Sequence, residues 1–163
     1  MAGAAKSEMS ARKDDGDEGA PLQLDEFLCF AVYSAAHGFT RVYQPLLKQF
    51  GLTYPQFIAM ILLWQKDGQT VSELGEQLYL QSNTLTPMLK RLEALGYVRR
   101  SRDPVDERQV RIHLTEAGRN LRRSAFDIIG GIREATGLTG ETASRMTQEI
   151  QALRRRLDSQ ASR

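Results

Sequence analysis

The chain contains one cysteine among its 163 residues, and only 7% of its residues are aromatic. A single cysteine cannot form a disulfide within the chain, which argues against an oxidising compartment and leaves Cys29 buried, reactive, or both. No run of apolar residues approaches the roughly 18 to 20 that cross a bilayer, and the N-terminus lacks the pattern of a secretion signal. The sequence therefore predicts a cytoplasmic protein without a membrane segment.

Histidines are few and the net charge is small. His37 and His113 have no spacing to Cys29 that is typical of metal ligands, so neither a metal nor another cofactor is expected. The formal net charge of +2 argues against a uniformly polycationic protein but does not exclude a local basic face. The length is sufficient for one domain that encloses a hydrophobic core.

Apolar residues at helical spacing predict that most of the chain is helical. Residues 1–20 are the exception, because they carry almost no large apolar side chain and are expected to form a disordered tail. After a long first helix, Thr53 and Thr70 each begin a capping box that opens the next helix. Ser82 is expected to cap a fourth helix, which Gly96 ends.

Beyond Gly96, residues 97–101 and 110–114 are two β-capable runs on either side of the charged loop RDPVDERQ, which predicts a two-stranded hairpin. Thr115 is expected to cap one helix that continues to Ile132, and a last helix follows. The predicted fold class is therefore mainly α with a small β-hairpin, in the element order of a winged helix-turn-helix.

Residues 82–123 are locally basic, with ten lysines and arginines against five acidic residues. Charge alone fits an ordinary solvated face equally well, but its coincidence with the helix-turn-helix order favours binding to double-stranded DNA, with the fourth helix in the major groove. Arg108 suits a narrow minor groove, and Asp106 is expected to hold its guanidinium. The candidate DNA-binding residues are Ser82, Asn83, Thr84, Thr86, Lys90, Arg91, Asp106 and Arg108.

The predicted domain spans residues 21–163, and its DNA-binding part is expected at about 53–115. The terminal helices, at about 22–50 and 116–160, carry apolar stripes that a monomer of this size would expose. Such stripes are buried when two copies pair, so these helices are predicted to form the interface of a homodimer.

Several sequence runs resemble a known family. LTPMLKRLEALGYVRRSR, followed by DERQVRIHLTEAG, is similar to the recognition helix and wing of the MarR family of dimeric transcription factors. Over about residues 22–158, the chain further resembles that family's organic hydroperoxide resistance regulators of the OhrR type. The runs that carry this second resemblance are LDEFLCFAVY, VYQPLL, LTYPQF and LGEQLYLQSNTLTPMLKRLE.

The resemblance implies a repressor that leaves its operator when an organic hydroperoxide oxidises Cys29. It also implies that Tyr43 and Tyr54 hydrogen-bond the cysteine of the other subunit, with Tyr33 nearby. In one helix over 24–49, Cys29 and Tyr43 would be roughly 21 Å apart, which excludes contact within a chain but not across an antiparallel dimer. Oxidation of Cys29 is expected to give a sulfenic acid. Some relatives carry a second cysteine that resolves this acid, and it is missing here. The sulfenic acid is therefore expected to be capped by a small thiol or to be overoxidised.

Cysteine and tyrosine suit this chemistry. A thiolate attacks a peroxide, and phenolic hydroxyls stabilise the thiolate by donating hydrogen bonds to it. The side chains expected to favour an apolar hydroperoxide over hydrogen peroxide are Leu28, Phe30, Phe39 and Phe57. Without the resemblance, Cys29 would be interpreted as a small buried hydrophobe.

Two alternatives remain open at this point. A MarR-type repressor can instead be released by a reversibly bound phenolic or carboxylate ligand, with Cys29 unreactive. A thiol peroxidase is less favoured, because the chain has no second cysteine and carries a basic hairpin. The protein is accordingly expected not to be an enzyme.

Overall fold

The computed structural model describes residues 22–161, so the predicted tail at residues 1–20 lies outside the described residues. The chain divides into two compact units at the boundary between Ala35 and Ala36, and each unit is described by itself. The described part of the first unit contains a short 3-10 helix, Leu24–Glu26, and the beginning of the first α-helix. The second unit contains the remainder of that helix and every later element.

Residues 22–161 contain seven α-helices and three β-strands beside the 3-10 helix. In chain order they are α1 Leu28–Lys48, α2 Tyr54–Gln65, β1 Gln69–Thr70, α3 Val71–Leu78, α4 Ser82–Ala94, β2 Val98–Arg102, β3 Val110–Leu114, α5 Glu116–Asn120, α6 Arg122–Thr136 and α7 Gly140–Ala161. This is the predicted fold class, mainly α with a small antiparallel sheet, and that prediction is confirmed.

The helix boundaries follow from local capping. Both predicted capping boxes are present at Thr53 and Thr70, and Thr115 accepts a hydrogen bond from the backbone N–H of Gly118 at 3.0 Å. The prediction that Ser82 caps α4 is wrong. The Gln81 carbonyl already accepts hydrogen bonds from the third and fourth residues after it, so Gln81 is the N-cap and Ser82 lies in the first turn.

The sheet has three strands in the order β1-β3-β2, where the sequence predicts only the β2–β3 hairpin. β1 is two residues long and pairs antiparallel with β3, with Gln69 opposite Ile112. Asp67 helps to hold this junction, because its Oδ1 accepts hydrogen bonds from the backbone N–H of Gly68 and of Leu114, both at 2.8 Å. A strand of two residues has no alternation to detect, so only the tertiary pairing reveals it.

The single helix predicted from Thr115 to Ile132 is two helices, α5 and α6, with Leu121 between them in a right-handed helical conformation. α5 packs tightly against the end of the hairpin. A Cβ at Gly118 would overlap the carbonyl oxygen of Tyr97, so only glycine fits this approach. The Trp64 indole N–H donates to the Gly118 carbonyl at 2.8 Å and ties α2 to the same point.

The hydrophobic core lies within the second unit, among α2, α3, α4 and the sheet, with contributions from the end of α1 and from α6. Its fully buried large apolar side chains are Leu47, Phe57, Met60, Leu63, Leu74, Leu85, Leu89, Leu92, Val98 and Ile112. By contrast, α7 has no buried residue, and Phe126 on α6 and Leu157 on α7 are 69% and 60% exposed. No helix within residues 22–161 has the length and apolar character needed to cross a membrane.

Candidate nucleic-acid interface and thiol site

A sharp turn between α3 and α4 sets the angle of the second helix. The backbone N–H of Leu80 donates to the Gly75 carbonyl at 3.0 Å, and the backbone N–H of Tyr79 donates to the Glu76 carbonyl at 3.3 Å. A Cβ at Gly75 would lie only 3.0 Å from the Leu80 carbonyl oxygen, so a glycine allows the turn to close. The buried Leu85 then packs α4 into the core. The result is a helix-turn-helix with α4 as its second helix.

α4 is amphipathic, with leucines in the core and polar residues towards solvent. The predicted contact residues Ser82, Asn83 and Thr84 are exposed at its N-terminal end, where Thr84 Oγ1 donates to Asn83 Oδ1 at 3.3 Å. Thr86 is half-buried, whereas Lys90 and Arg91 are exposed further along. The structure thus brings all six predicted side chains of α4 onto the surface of one helix.

The hairpin loop presents Arg108 to solvent, but Asp106 does not hold it as predicted. Asp106 Oδ1 accepts a hydrogen bond from the backbone N–H of Arg108 at 3.1 Å, and Oδ2 accepts one from the Gln109 side chain at 3.2 Å. Within residues 22–161 no ion pair joins Asp106 to the Arg108 guanidinium. At a separation of two residues the backbone N–H is the nearer donor, so Asp106 contributes to the shape of the loop.

Arg108 and α4 share one concave surface. A groove of about 340 Å³ between the hairpin and the helix-turn-helix is lined by Thr86, Arg100 and Arg108, among other residues. Hydroxyl and guanidinium groups at such a groove are donors for phosphates and base edges. The wing and α4 therefore form one basic, donor-rich face.

An ion pair between a buried carboxylate and a half-buried arginine, at the base of the wing, has no signal in the sequence pattern. Asp103 is almost fully buried, and its Oδ1 accepts hydrogen bonds from the backbone N–H of Val105 at 2.7 Å and of Asp106 at 3.0 Å. Its Oδ2 pairs with Arg111 Nε, and Arg111 Nη1 donates to the Gly68 carbonyl at 2.7 Å. The backbone hydrogen bonds, followed by Arg111, lower the pKa of Asp103 below its ordinary value of 3.8. This pair anchors the wing to the sheet.

The lowered pKa of Asp103 makes wing anchoring depend on pH. Its stabilising contribution is fully present above the ordinary pKa of an unfolded aspartate, and it is lost as pH falls through the lower folded-state pKa. We therefore expect the difference in unfolding free energy between wild type and Asp103→Asn to shrink as pH falls below about 4. Urea unfolding measured from neutral pH to pH about 2.5 checks this.

Glu107→Gln is the matched control for this experiment. Glu107 lies in the same loop and forms only an exposed pair with Arg102 at 3.9 Å, so its removal is expected to leave the pH profile unchanged. Glu73, whose pKa is also lowered, chiefly by the backbone N–H of Thr70, is present in every variant and cancels in the comparison. A difference between wild type and Asp103→Asn that stays constant with pH would contradict the assignment.

The thiol site begins with Cys29, which is the second residue of α1 and is exposed. Within the single chain, Cys29 is therefore not buried in a hydrophobic core. In the same unit, the rings of Phe30 and Tyr33 stack with centroids 6.3 Å apart, and Leu28 is exposed. The first unit thus presents a thiol and aromatic side chains on the exposed beginning of α1.

The second unit brings Tyr43 of α1 and Tyr54 of α2 together. Their ring centroids are 4.4 Å apart with an interplanar angle of 32°, and both side chains are half-buried. Burial raises the pKa of both hydroxyls above 10.0, and the charge of Tyr54 raises that of Tyr43 further. Both phenols therefore stay protonated near neutral pH and remain hydrogen-bond donors.

Phe57 does not offer the apolar surface to a hydroperoxide that the sequence predicts. It is fully buried in the core, where its ring lies 6.0 Å from that of Tyr43 and 6.1 Å from that of Trp64. Phe39, by contrast, is 41% exposed. Phe57 acts as packing behind the tyrosine pair.

Comparison with known proteins finds similarity to transcriptional regulators. The family model described as transcriptional regulator SarA/Rot matches residues 41–124. The chain is 45% identical to the HTH-type transcriptional regulator TtmR of Methylorubrum extorquens, over 86% of this chain and 72% of that protein. It is 43% identical to the organic hydroperoxide resistance transcriptional regulator of Bacillus subtilis, over 81% of this chain and 90% of that protein.

A solved structure shares the fold at similar identity. The structure of reduced AbfR bound to DNA superposes on this chain with a TM-score of 0.71 and 37% sequence identity. AbfR is a protein of Staphylococcus epidermidis. The match covers 81% of this chain and 90% of that one. The protein to which this chain is similar was therefore captured on DNA with the same fold.

Proposed function

Because this chain belongs to the winged-helix transcriptional regulators of the MarR and SarA/Rot type, we propose that it is a repressor that senses organic hydroperoxides through Cys29. The single observation that carries this proposal is its 43% identity to a regulator of organic hydroperoxide resistance over 90% of that protein. The exposed thiol at the start of α1 supports it, because a sensing cysteine needs access to its oxidant.

The DNA-binding step rests on α4 and the wing. α4 exposes polar and basic side chains at its N-terminal end and along one side, and Arg108 stands exposed on the wing beside Thr86. We propose that α4 enters a major groove while Arg108 reaches the adjacent minor groove, where the potential is most negative. We propose that the DNA-binding part spans about residues 53–115, the range expected from the sequence.

A homodimer is proposed from the apolar surface of the terminal helices. Phe126 and Ile129 on α6, with Met146, Ile150 and Leu157 on α7, are 42% to 69% exposed. Side chains of this size are normally buried against a partner when they are clustered in this way. A two-fold dimer would place two copies of α4 in successive major grooves of a pseudo-palindromic operator.

The proposed sensing reaction is a two-electron oxidation. The Cys29 thiolate attacks one oxygen of the hydroperoxide, an S–O bond forms as the O–O bond breaks, and the alkoxide leaves and is protonated to an alcohol. The cysteine becomes a sulfenic acid, which a small thiol converts to a mixed disulfide with release of water. Added polar bulk at the exposed start of α1 would then alter the packing of the dimer and the spacing of its two α4 helices.

We expect Tyr43→Phe and Tyr54→Phe each to slow oxidation of Cys29 about tenfold or more, while operator affinity stays unchanged. Both phenols are protonated donors, and in the proposed dimer each hydrogen-bonds the thiolate of the partner subunit. Loss of a hydrogen bond to a charged group costs about 1.5–3 kcal/mol. The rate is measured by mass spectrometry after timed addition of cumene hydroperoxide.

Tyr97→Phe is the control for these variants. The Tyr97 hydroxyl donates to the Phe50 carbonyl at 3.1 Å, so this substitution removes a half-buried tyrosine hydroxyl that has a structural partner. It is expected to lower stability without slowing oxidation. Equal slowing in all three variants would contradict a specific role for Tyr43 and Tyr54.

One experiment on the wild-type protein tests the proposed function as a whole. The probe is a duplex that the reduced protein selects from a random-sequence library. Binding to this duplex is measured by gel shift before and after cumene hydroperoxide, and the mass of the same sample reports the state of Cys29. Release that accompanies addition of oxygen or a thiol to Cys29 supports the proposal; unchanged binding by fully oxidised protein overturns it.

A second candidate function is supported by a groove beside Tyr54. This groove, of about 520 Å³, is lined by Thr40, Gln44, Lys48 and Tyr54, among other residues. Its ammonium, amide and hydroxyl groups suit a phenolic or carboxylate ligand, as in a repressor released by reversible binding. Release by salicylate, with Cys29 unmodified and binding restored by dialysis, would favour this function over oxidation.

A further inference from the structure

Tyr79, in the turn before α4, has an unusual backbone conformation. It is the only non-glycine residue within 22–161 with a positive φ, at φ 56° and ψ 37°. A Cβ disfavours this left-handed region, and glycine is the usual residue where a helix ends this way. Tyr79 is also 59% exposed, so burial of its ring in the core does not explain why a tyrosine occupies the position.

The ring of Tyr79 is instead in contact with a residue of α7. The guanidinium carbon of Arg154 lies 4.4 Å from the centre of the Tyr79 ring, which is the geometry of a cation–π contact. Asp158, one turn later on α7, has its carboxylate 3.9 Å from Arg154 Nε. The neighbouring Ala152 and Leu153 are half-buried on a helix that is otherwise mostly exposed.

This contact joins two parts of the chain with different proposed roles. α7 belongs to the proposed dimer interface, whereas Tyr79 lies three residues before the first residue of α4. Because Tyr79 is the left-handed residue of the turn, holding its ring also holds the direction in which the chain leaves α3. A displacement of α7 would therefore be passed to α4 through this pair.

The geometry points to Tyr79 and Arg154 as a positioning pair that orients α4 from α7 through stacking. This inference rests on the proposed DNA-binding function and adds to it two residues outside α4 and the wing. The pair would act on DNA only through α4. A direct contact of Arg154 with a DNA phosphate is the competing explanation, and it depends on charge rather than on a planar guanidinium.

Four single variants and one double variant of the full chain separate these explanations. Binding to the selected duplex is measured by fluorescence anisotropy at two salt concentrations. Tyr79→Phe keeps the ring and is expected to bind as wild type does. Tyr79→Gly and Arg154→Ala remove the contact, and Arg154→Lys replaces the planar guanidinium by a point charge. Each variant is expected to bind about three- to tenfold more weakly. The double variant Tyr79→Gly/Arg154→Ala is expected to bind no more weakly than either single variant.

Tyr79→Gly also separates positioning from a merely structural role. Glycine relieves the left-handed backbone, so urea unfolding is expected to show equal or greater stability than wild type while DNA affinity falls. Affinity and stability that fall together, losses that add in the double variant, or wild-type binding by Arg154→Lys would each overturn the proposal. Failure of the wild type to bind any duplex would overturn the proposed function itself, which is a different result.

Discussion

Replacing Cys29 by serine is expected to leave operator binding by the reduced protein unchanged and to abolish its release by organic hydroperoxide. Serine is nearly the same size as cysteine, but its hydroxyl does not attack a peroxide at neutral pH. Because Cys29 is the only cysteine and is exposed, the variant has no other thiol to oxidise. Wild-type affinity is expected to fall about 5- to 150-fold on oxidation, the usual range of coupling between two sites, whereas the variant should show no change.

Gel shifts with and without cumene hydroperoxide measure this effect, and Ser34→Ala supplies the control. Ser34 lies on the same helix, where its hydroxyl donates to the Ala31 carbonyl at 3.1 Å. Its removal alters the helix surface but retains the thiol, so this variant is expected to release DNA as wild type does. If Cys29→Ser still releases the duplex after treatment, Cys29 is not the sensor.

Arg108→Ala is expected to weaken operator binding about 5- to 150-fold, which corresponds to about 1–3 kcal/mol for an arginine that contacts bases. Arg108 is exposed, and Asp106 holds its backbone N–H at 3.1 Å while leaving the guanidinium available. The loop therefore keeps its shape when the side chain is removed. Stability in urea is expected to match that of wild type, so the loss belongs to the DNA complex.

Arg102→Ala is the matched control for the wing. Arg102 is also exposed, and its pair with Glu107 at 3.9 Å is weak, so the substitution removes the same charge from the other side of the loop. Both variants are expected to reduce the salt dependence of binding by about one unit of slope if both arginines lie near phosphates. Only Arg108→Ala is expected to lose sequence preference. Equal losses of affinity and preference in both variants would contradict minor-groove insertion by Arg108.

The helix-turn-helix and the hairpin could be predicted from sequence because their signals are local. Thr53 and Thr70 begin capping boxes within four residues, and Gly96 has the positive φ of 76° that a helix end requires. Such signals act through hydrogen bonds and backbone sterics over a few residues. Gln81 and Ser82 are adjacent candidates for the N-cap of α4, and the sequence pattern predicted the wrong one.

The wing anchor could not be predicted in the same way. Asp103 and Arg111 are eight residues apart on different sides of a loop, and Gly68 precedes them by more than thirty residues. In the sequence, Asp103 and Arg111 are two of many charged residues, and nothing marks them as partners. Only the folding of the three-stranded sheet brings them together with Gly68. The contact between Tyr79 and Arg154 could not be predicted either, because Tyr79 directly follows α3 and Arg154 lies far along the chain on α7.

The single cysteine, the order of helices and hairpin, and the basic composition of residues 82–123 were determined by the sequence alone, because each depends on residue identity or on neighbours within a few positions. The tertiary structure decided the exposure of Cys29, the pairing of Tyr43 with Tyr54 and the third strand. It also decided that Asp106 holds a backbone N–H and not a guanidinium. Burial and long-range pairing depend on which segments pack together, and no local pattern carries that information.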